Sequence, residues 1–128
     1  MKKEMTLKTK KWMGYDFNNP AEKYSYTERA LEKAFMEFLR DWKKDVVYLL
    51  KDSDWKINRV LPNHFTFFVF LRNEKEDKWA SASVSDVRVW KEEWYNSIMV
   101  RSAKDAKDYG GRNKYTTLPN LAKALGEL

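Results

Sequence analysis

The sequence predicts an α+β fold: a long N-terminal helix packed on an antiparallel four-stranded meander, followed by a short C-terminal helix. Three observations lead there. Apolar residues recur every three or four positions from Leu31 to Leu49, the period of one helix face. After Asp52-Ser53-Asp54 the period falls to two, the period of strands. The strand-like runs are joined by short polar connections, which suit antiparallel neighbours rather than crossovers.

The helix has two candidate starts. Asn19-Pro20-Ala21-Glu22 and Ser25-Tyr26-Thr27-Glu28 each place a capping residue three positions before Glu. From there the helix is expected to run to about Leu50, roughly 40 Å at 1.5 Å per residue. Leu31, Ala34, Phe35, Phe38, Leu39, Trp42, Val46 and Leu49 form its apolar stripe. Glu28, Glu32, Lys33, Glu37, Arg40, Asp41, Lys44 and Asp45 are assigned to a solvated face of alternating sign.

Next, Trp55, Ile57 and Arg59 alternate with Lys56 and Asn58 in a first strand, before Pro62-Asn63 turns the chain. Phe65 to Leu71 is apolar on both faces and reads as a central strand. Asn73 to Asp77 is a charged hairpin loop, and Trp79 to Trp90 is expected to be one long strand. Trp94 to Ser102 forms the last strand, with Ile98 and Val100 on one face and Tyr95, Met99 and Arg101 on the other. A Gly-rich basic loop follows, then a helix from about Pro119 with Leu121, Leu125 and Leu128 on one side. A sheet of this kind can leave one face open to solvent or to a partner.

Composition narrows the function. The 128 residues fit one domain, with residues 1–19 as a basic arm and 20–128 as the α+β unit. With no Cys there is no disulfide scaffold, thiolate site or Cys nucleophile, and one His excludes multi-His zinc sites within the chain. The sole His64, between Asn63 and Phe65, suits a turn or a core edge better than catalysis. No phosphate-binding Gly loop, dinucleotide fingerprint or EF-hand is present. No cofactor and no metal are expected. No apolar run approaches the roughly 20 residues of a membrane span, and Met1-Lys2-Lys3-Glu4-Met5-Thr6 has no apolar stretch behind it. A cytoplasmic location away from membranes is the expectation.

The net charge of +6 is concentrated in two segments. Residues 1–12 carry Lys2, Lys3, Lys8, Lys10 and Lys11 against Glu4, and read on their own as a solvated tail, while Trp12, Tyr15 and Phe17 make residues 1–19 an arm expected to pack in places. The second segment sets Arg101, Lys104, Lys107, Arg112 and Lys114 against Asp105 and Asp108, interleaved with Tyr109, Gly110, Gly111, Asn113 and Tyr115. Arg and Lys suit phosphates, the Gly pair allows close backbone approach, Tyr109 and Tyr115 suit stacking on unpaired bases, and Asn113 suits base edges. The same segment also fits a surface loop whose Gly pair turns the chain, whose Tyr rings pack on the sheet edge and whose Lys–Asp pairs neutralise one another.

The leading expectation is therefore a small non-catalytic domain that binds nucleic acid through Arg101, Lys104, Lys107, Tyr109, Arg112, Asn113, Lys114 and Tyr115, helped by the Lys-rich arm. A second expectation belongs to a different class. Trp79, Trp90, Trp94 and Tyr95 cluster near one end of the long third strand, and Trp and Tyr dominate protein-interface hot spots. A protein-binding inhibitor or adaptor, of the kind a mobile element encodes, would use such an aromatic face. A Mg²⁺-dependent nuclease built on Asp54, Glu76 and Lys78 ranks third, because Glu76 falls in a loop that would hold it poorly.

Overall fold

The computed structural model describes residues 7–17, 28–90, 92–105 and 114–128. Helix α1 spans Glu28–Leu49, strands β1 to β3 span Trp55–Asn63, Thr66–Asn73 and Lys78–Val84, and a one-turn helix α2 spans Glu93–Asn96. Strands β4 and β5 (Ile98–Ala103 and Lys114–Thr116) come next, followed by a 3₁₀ turn over Leu118–Asn120 and helix α3, Leu121–Gly126. The α+β class is the observed one. Among the described residues the sheet has five strands in sequence order, every neighbouring pair antiparallel.

One face of the sheet carries the core. Phe67, Val69 and Leu71 of β2 share it with Ala80, Ala82 and Val84 of β3 and with Ile98 and Val100 of β4. The stripe of α1 meshes with this layer through rings: Phe35 lies 6.1 Å from Phe67, Phe38 6.2 Å and Trp42 4.7 Å. Trp42 also donates its indole N–H to the Trp94 carbonyl at 3.1 Å, which satisfies the polar edge of a fully buried ring. Leu118, Leu121 and Leu125 close the core from the C-terminal side.

Four expectations need correction. The sheet has a fifth strand, Lys114–Thr116, which pairs with β4 through Ile98↔Thr116, Met99↔Tyr115 and Val100↔Lys114. Three residues are too few to display a period of two. The long strand from Trp79 ends at Val84, because the Asp86 carboxylate accepts the Arg88 backbone N–H at 2.9 Å and folds the chain into a turn. Trp94 and Tyr95 belong to helix α2, where Tyr95 and Asn96 donate backbone N–H groups to the Glu92 carbonyl.

The fourth correction concerns charge. Asp41 and Asp45 do not face solvent: they are 5% and 0% exposed. Residues 7–17 lie over them with Thr9, Trp12 and Phe17 buried, so here the arm packs through its aromatics, as those residues suggested, and is not a solvated tail. Asp45 accepts the backbone N–H of Lys8 at 2.7 Å and of Thr9 at 2.8 Å, and the Thr9 hydroxyl at 2.6 Å. Asp41 accepts the Trp12 indole N–H at 2.9 Å and pairs with Lys11 at 3.2 Å. Burial pushes the Asp41 carboxyl up, but the Trp12 and Lys11 hydrogen bonds and the charges of Lys11 and Arg40 outweigh it and hold it below the ordinary carboxylate value.

Candidate functional site

The sheet face opposite α1 is uncovered by any described element, and the register decides what it displays. Directly paired residues of antiparallel strands point to the same face, so the pairs Arg59↔Phe70↔Ser81↔Arg101 form one row across four strands. Leu61↔Phe68↔Ser83↔Met99↔Tyr115 form the next row, and Lys56↔Arg72↔Trp79↔Ala103 a third. No acidic residue occupies any of these rows.

A bulge sets this pattern in β1. Plain alternation puts Ile57 and Arg59 on one side, but the pairing shifts between them and leaves Asn58 as an extra residue. Ile57 therefore stays with the core against Leu71, while Arg59 joins the open face against Phe70.

Each arginine of the face lies over an aromatic ring. The Arg59 guanidinium is 5.4 Å from the centre of Phe70, that of Arg72 is 4.9 Å from Trp79, and that of Arg101 is 5.6 Å from Phe68. Such pairs occur about once per 70–80 residues in proteins, so three on one face of one sheet is a concentration. Arg101 reaches Phe68 across two strand spacings, about 10 Å, because Ser81 and Ser83 between them are small. Its Nε donates to the Ser81 hydroxyl at 3.4 Å. Phe70 is fully buried although it is no part of the core beneath α1.

The two ends of the face differ. Beside the β1–β2 turn, Leu61, Thr66, Phe68, Ser83 and Ser85 line a hollow of about 370 Å³. At the opposite end, Lys51, Lys56, Arg72 and Lys75 line a hollow of about 590 Å³ with Asp54 and Glu74. Arg72 is fixed there by Asp77 at 2.7 Å and donates to the Lys78 carbonyl at 3.3 Å.

The residues expected from sequence are divided. Arg101 and Tyr115 stand on the open face, Tyr115 at 66% exposure beside Met99. Lys114 is exposed on β5 and donates to the Glu127 carbonyl at 3.3 Å, and Lys104 is exposed just beyond β4. Lys107, Tyr109, Arg112 and Asn113, with Gly110 and Gly111, lie outside the described residues. Of the expected protein-binding cluster, Trp79 is on the open face under Arg72, and Trp90 is 53% exposed in the turn after β3. Trp94 is 2% exposed and packs on Phe38 at 5.0 Å, so its ring is unavailable to a partner, and Tyr95 leans on it at 5.9 Å.

The carboxylates suggested for metal-dependent cleavage do not converge. Glu76 pairs with Lys78 at 3.4 Å and Asp54 with Lys75 at 3.9 Å, all on exposed side chains. Among the described residues no three His, Cys, Asp or Glu side chains stand close enough to hold a metal ion. His64 is an exposed turn residue with φ of +57°. Asp86 is held below the ordinary carboxylate value, chiefly by the Arg88 hydrogen bond, and is a structural anchor of its turn.

Sequence reasoning missed Lys56, Arg59, Phe68 and Arg72. The signal was present as cations alternating with aromatics along strands that are apolar on both sides. It was legible only with the register in hand.

Comparison of the chain with protein-family models, curated proteins and solved structures finds no match. Among the described residues no helix is long and apolar enough to cross a membrane.

Proposed function

We propose that the chain binds nucleic acid and performs no chemistry on it, using the open sheet face together with the basic segment between β4 and β5. One observation carries this reading. Arg59, Arg72 and Arg101 are spread over aromatic rings on a face whose strands bear no acidic side chain. Guanidinium groups supply phosphate contacts, rings and guanidinium planes supply stacking surfaces, and an anionic polymer is the ligand that needs both. In sequence, Arg101 and Tyr115 flank the segment that holds Lys107 and Arg112.

The test is a titration of labelled DNA and RNA, paired and unpaired, at low and at physiological salt. With about five to seven phosphates neutralised, log K falls against log salt with a slope of about −4 to −6 on duplex and about −3.5 to −5 on single strands. Absence of binding at low salt refutes the reading. It then passes to the protein-binding alternative, for which the adjacent Val89 and Trp90 offer exposed apolar surface.

A further inference from the structure

We infer that the hollow between residues 7–12 and α1 is a built site for clustered phosphate groups, separate from the sheet face. The hollow measures about 530 Å³ and is lined by Leu7, Lys8, Lys10, Lys11, Asp41 and Lys44, so four ammonium groups meet one carboxylate. The buried carboxylates of α1 do not neutralise them. Asp45 is occupied by the Lys8 and Thr9 backbone N–H groups and the Thr9 hydroxyl, none of them charged. Asp41 takes the Trp12 indole N–H and a single ammonium, that of Lys11. Among the described residues Lys8, Lys10 and Lys44 have no ion-pair partner, and all three are exposed.

Two properties set this cluster apart from a charged tail. The Asp45 hydrogen bonds hold Lys8 and Thr9, and the indole bond and ring packing of Trp12 hold the far end, so Lys10 and Lys11 are fixed between two anchors. In the 3₁₀ turn over Lys8–Trp12 the side chains of Lys8 and Lys11 stand one above the other, and α1 contributes Lys44 to the same hollow. Charges gathered before a ligand arrives lower the ordering cost of binding it. They also cost the chain stability, because like charges held together repel, and a bound polyanion relieves that repulsion. The residue type sets the ligand chemistry. Lysine binds phosphate as a compact point charge, whereas the planar carboxylates of an acidic peptide are matched best by the arginine fork, which does not line this hollow. Closely spaced phosphates occur in nucleic-acid backbones and in free oligophosphates, and the experiment separates these two sources.

The experiment titrates the full chain with tripolyphosphate, with sulfate at matched ionic strength, and with labelled DNA and RNA. Tripolyphosphate is expected to bind more tightly than sulfate and to raise Tm with its concentration. Lys10→Gln with Lys44→Gln is expected to weaken that binding at least about tenfold. Lys33→Gln with Lys123→Gln, an equal change of charge at exposed residues outside the hollow, is expected to leave it within about twofold. Lys11 is kept, because it pairs with Asp41. Asp45→Asn separates a built site from loose charge. It makes the chain more positive yet releases the arm, so it is expected to weaken tripolyphosphate binding when measured well below the variant's own Tm. If nucleic acid is the source, Lys10→Gln with Lys44→Gln also lowers the salt slope on duplex by up to about 1.8. If a free oligophosphate is the source, nucleic-acid affinity is unchanged while tripolyphosphate affinity falls. Either result supports the site. Tripolyphosphate held no tighter than sulfate, equal losses in the two double variants, or undiminished binding by Asp45→Asn each overturn it. Nucleic-acid binding by the parent protein in those cases leaves the reading above intact.

Discussion

Replacing Asp45 with Ala probes the attachment of residues 7–17 to α1. The carboxylate is fully buried and accepts three donors: the Lys8 and Thr9 backbone N–H groups and the Thr9 hydroxyl. A hydrogen bond to a charged group contributes about 1.5–3 kcal/mol, but three that share one carboxylate do not add. The loss also leaves buried Thr9 donors unpaired, so the cost is set at about 3–5 kcal/mol, the range for breaking a buried charged interaction. For a chain of this size that lowers Tm by about 10–20 °C. The clasp also positions Trp12 and Phe17, whose rings stack 5.7 Å apart against Phe38. Asp45→Ala is therefore expected to open Lys8, Lys10 and Lys11 to trypsin under conditions where the parent protein is protected at those sites. Thermal denaturation and timed proteolysis read both effects. A cost under about 1 kcal/mol, with the lysines still protected, would refute the claim that this carboxylate fastens the segment.

Acid should weaken the fold through Asp41 on the same helix and Asp86 in the turn after β3. Asp41 and Asp86 titrate lower folded than unfolded, so the unfolded chain binds more protons as pH drops below about 4. The stability these groups contribute is complete above that pH and is lost as pH falls through their folded values. Urea midpoints measured from about pH 6 to about pH 3 should decline steeply for the parent and less steeply for Asp41→Asn, which is also weaker at neutral pH. Trp42→Phe removes the donor to the Trp94 carbonyl and part of a buried ring, and is expected to cost about 2–3 kcal/mol in urea denaturation with an unchanged m-value. Trp90→Ala, at an exposed turn, is expected to shift stability by less than about 0.5 kcal/mol.

The parts of the fold that could be read from sequence were those in which one local period speaks for itself. Phe35, Phe38, Leu39, Trp42 and Val46 repeat at helical spacing and are all buried. Asp41 and Asp45 obeyed the opposite pattern, charges on a helix flank, and nothing local signals that Thr9 and Trp12, some 30 residues earlier, will bind them. Strand β5 escaped because three residues carry no period. The open face escaped for a third reason. The inserted Asn58 reverses the facing of Arg59, and only cross-strand pairing brings Arg59, Arg72 and Arg101 onto one surface. Arg101 and Tyr115 were picked out for their residue types in a basic run, without knowledge of their neighbours.

The inserted residue in β1 has a bearing on self-association as well. A sheet that does not close on itself has two outer strands, and an unpaired strand edge is a template on which another copy can polymerise. Among the described residues one edge is the three-residue strand Lys114–Thr116, a short template for a ladder. The other is nine residues long, but the bulge at Asn58 twists and interrupts it, and Pro62 has no N–H to donate. Lys56 and Arg59 add like-charge repulsion between copies. The device that turns an arginine outward thus also interrupts the longest edge strand of the described sheet.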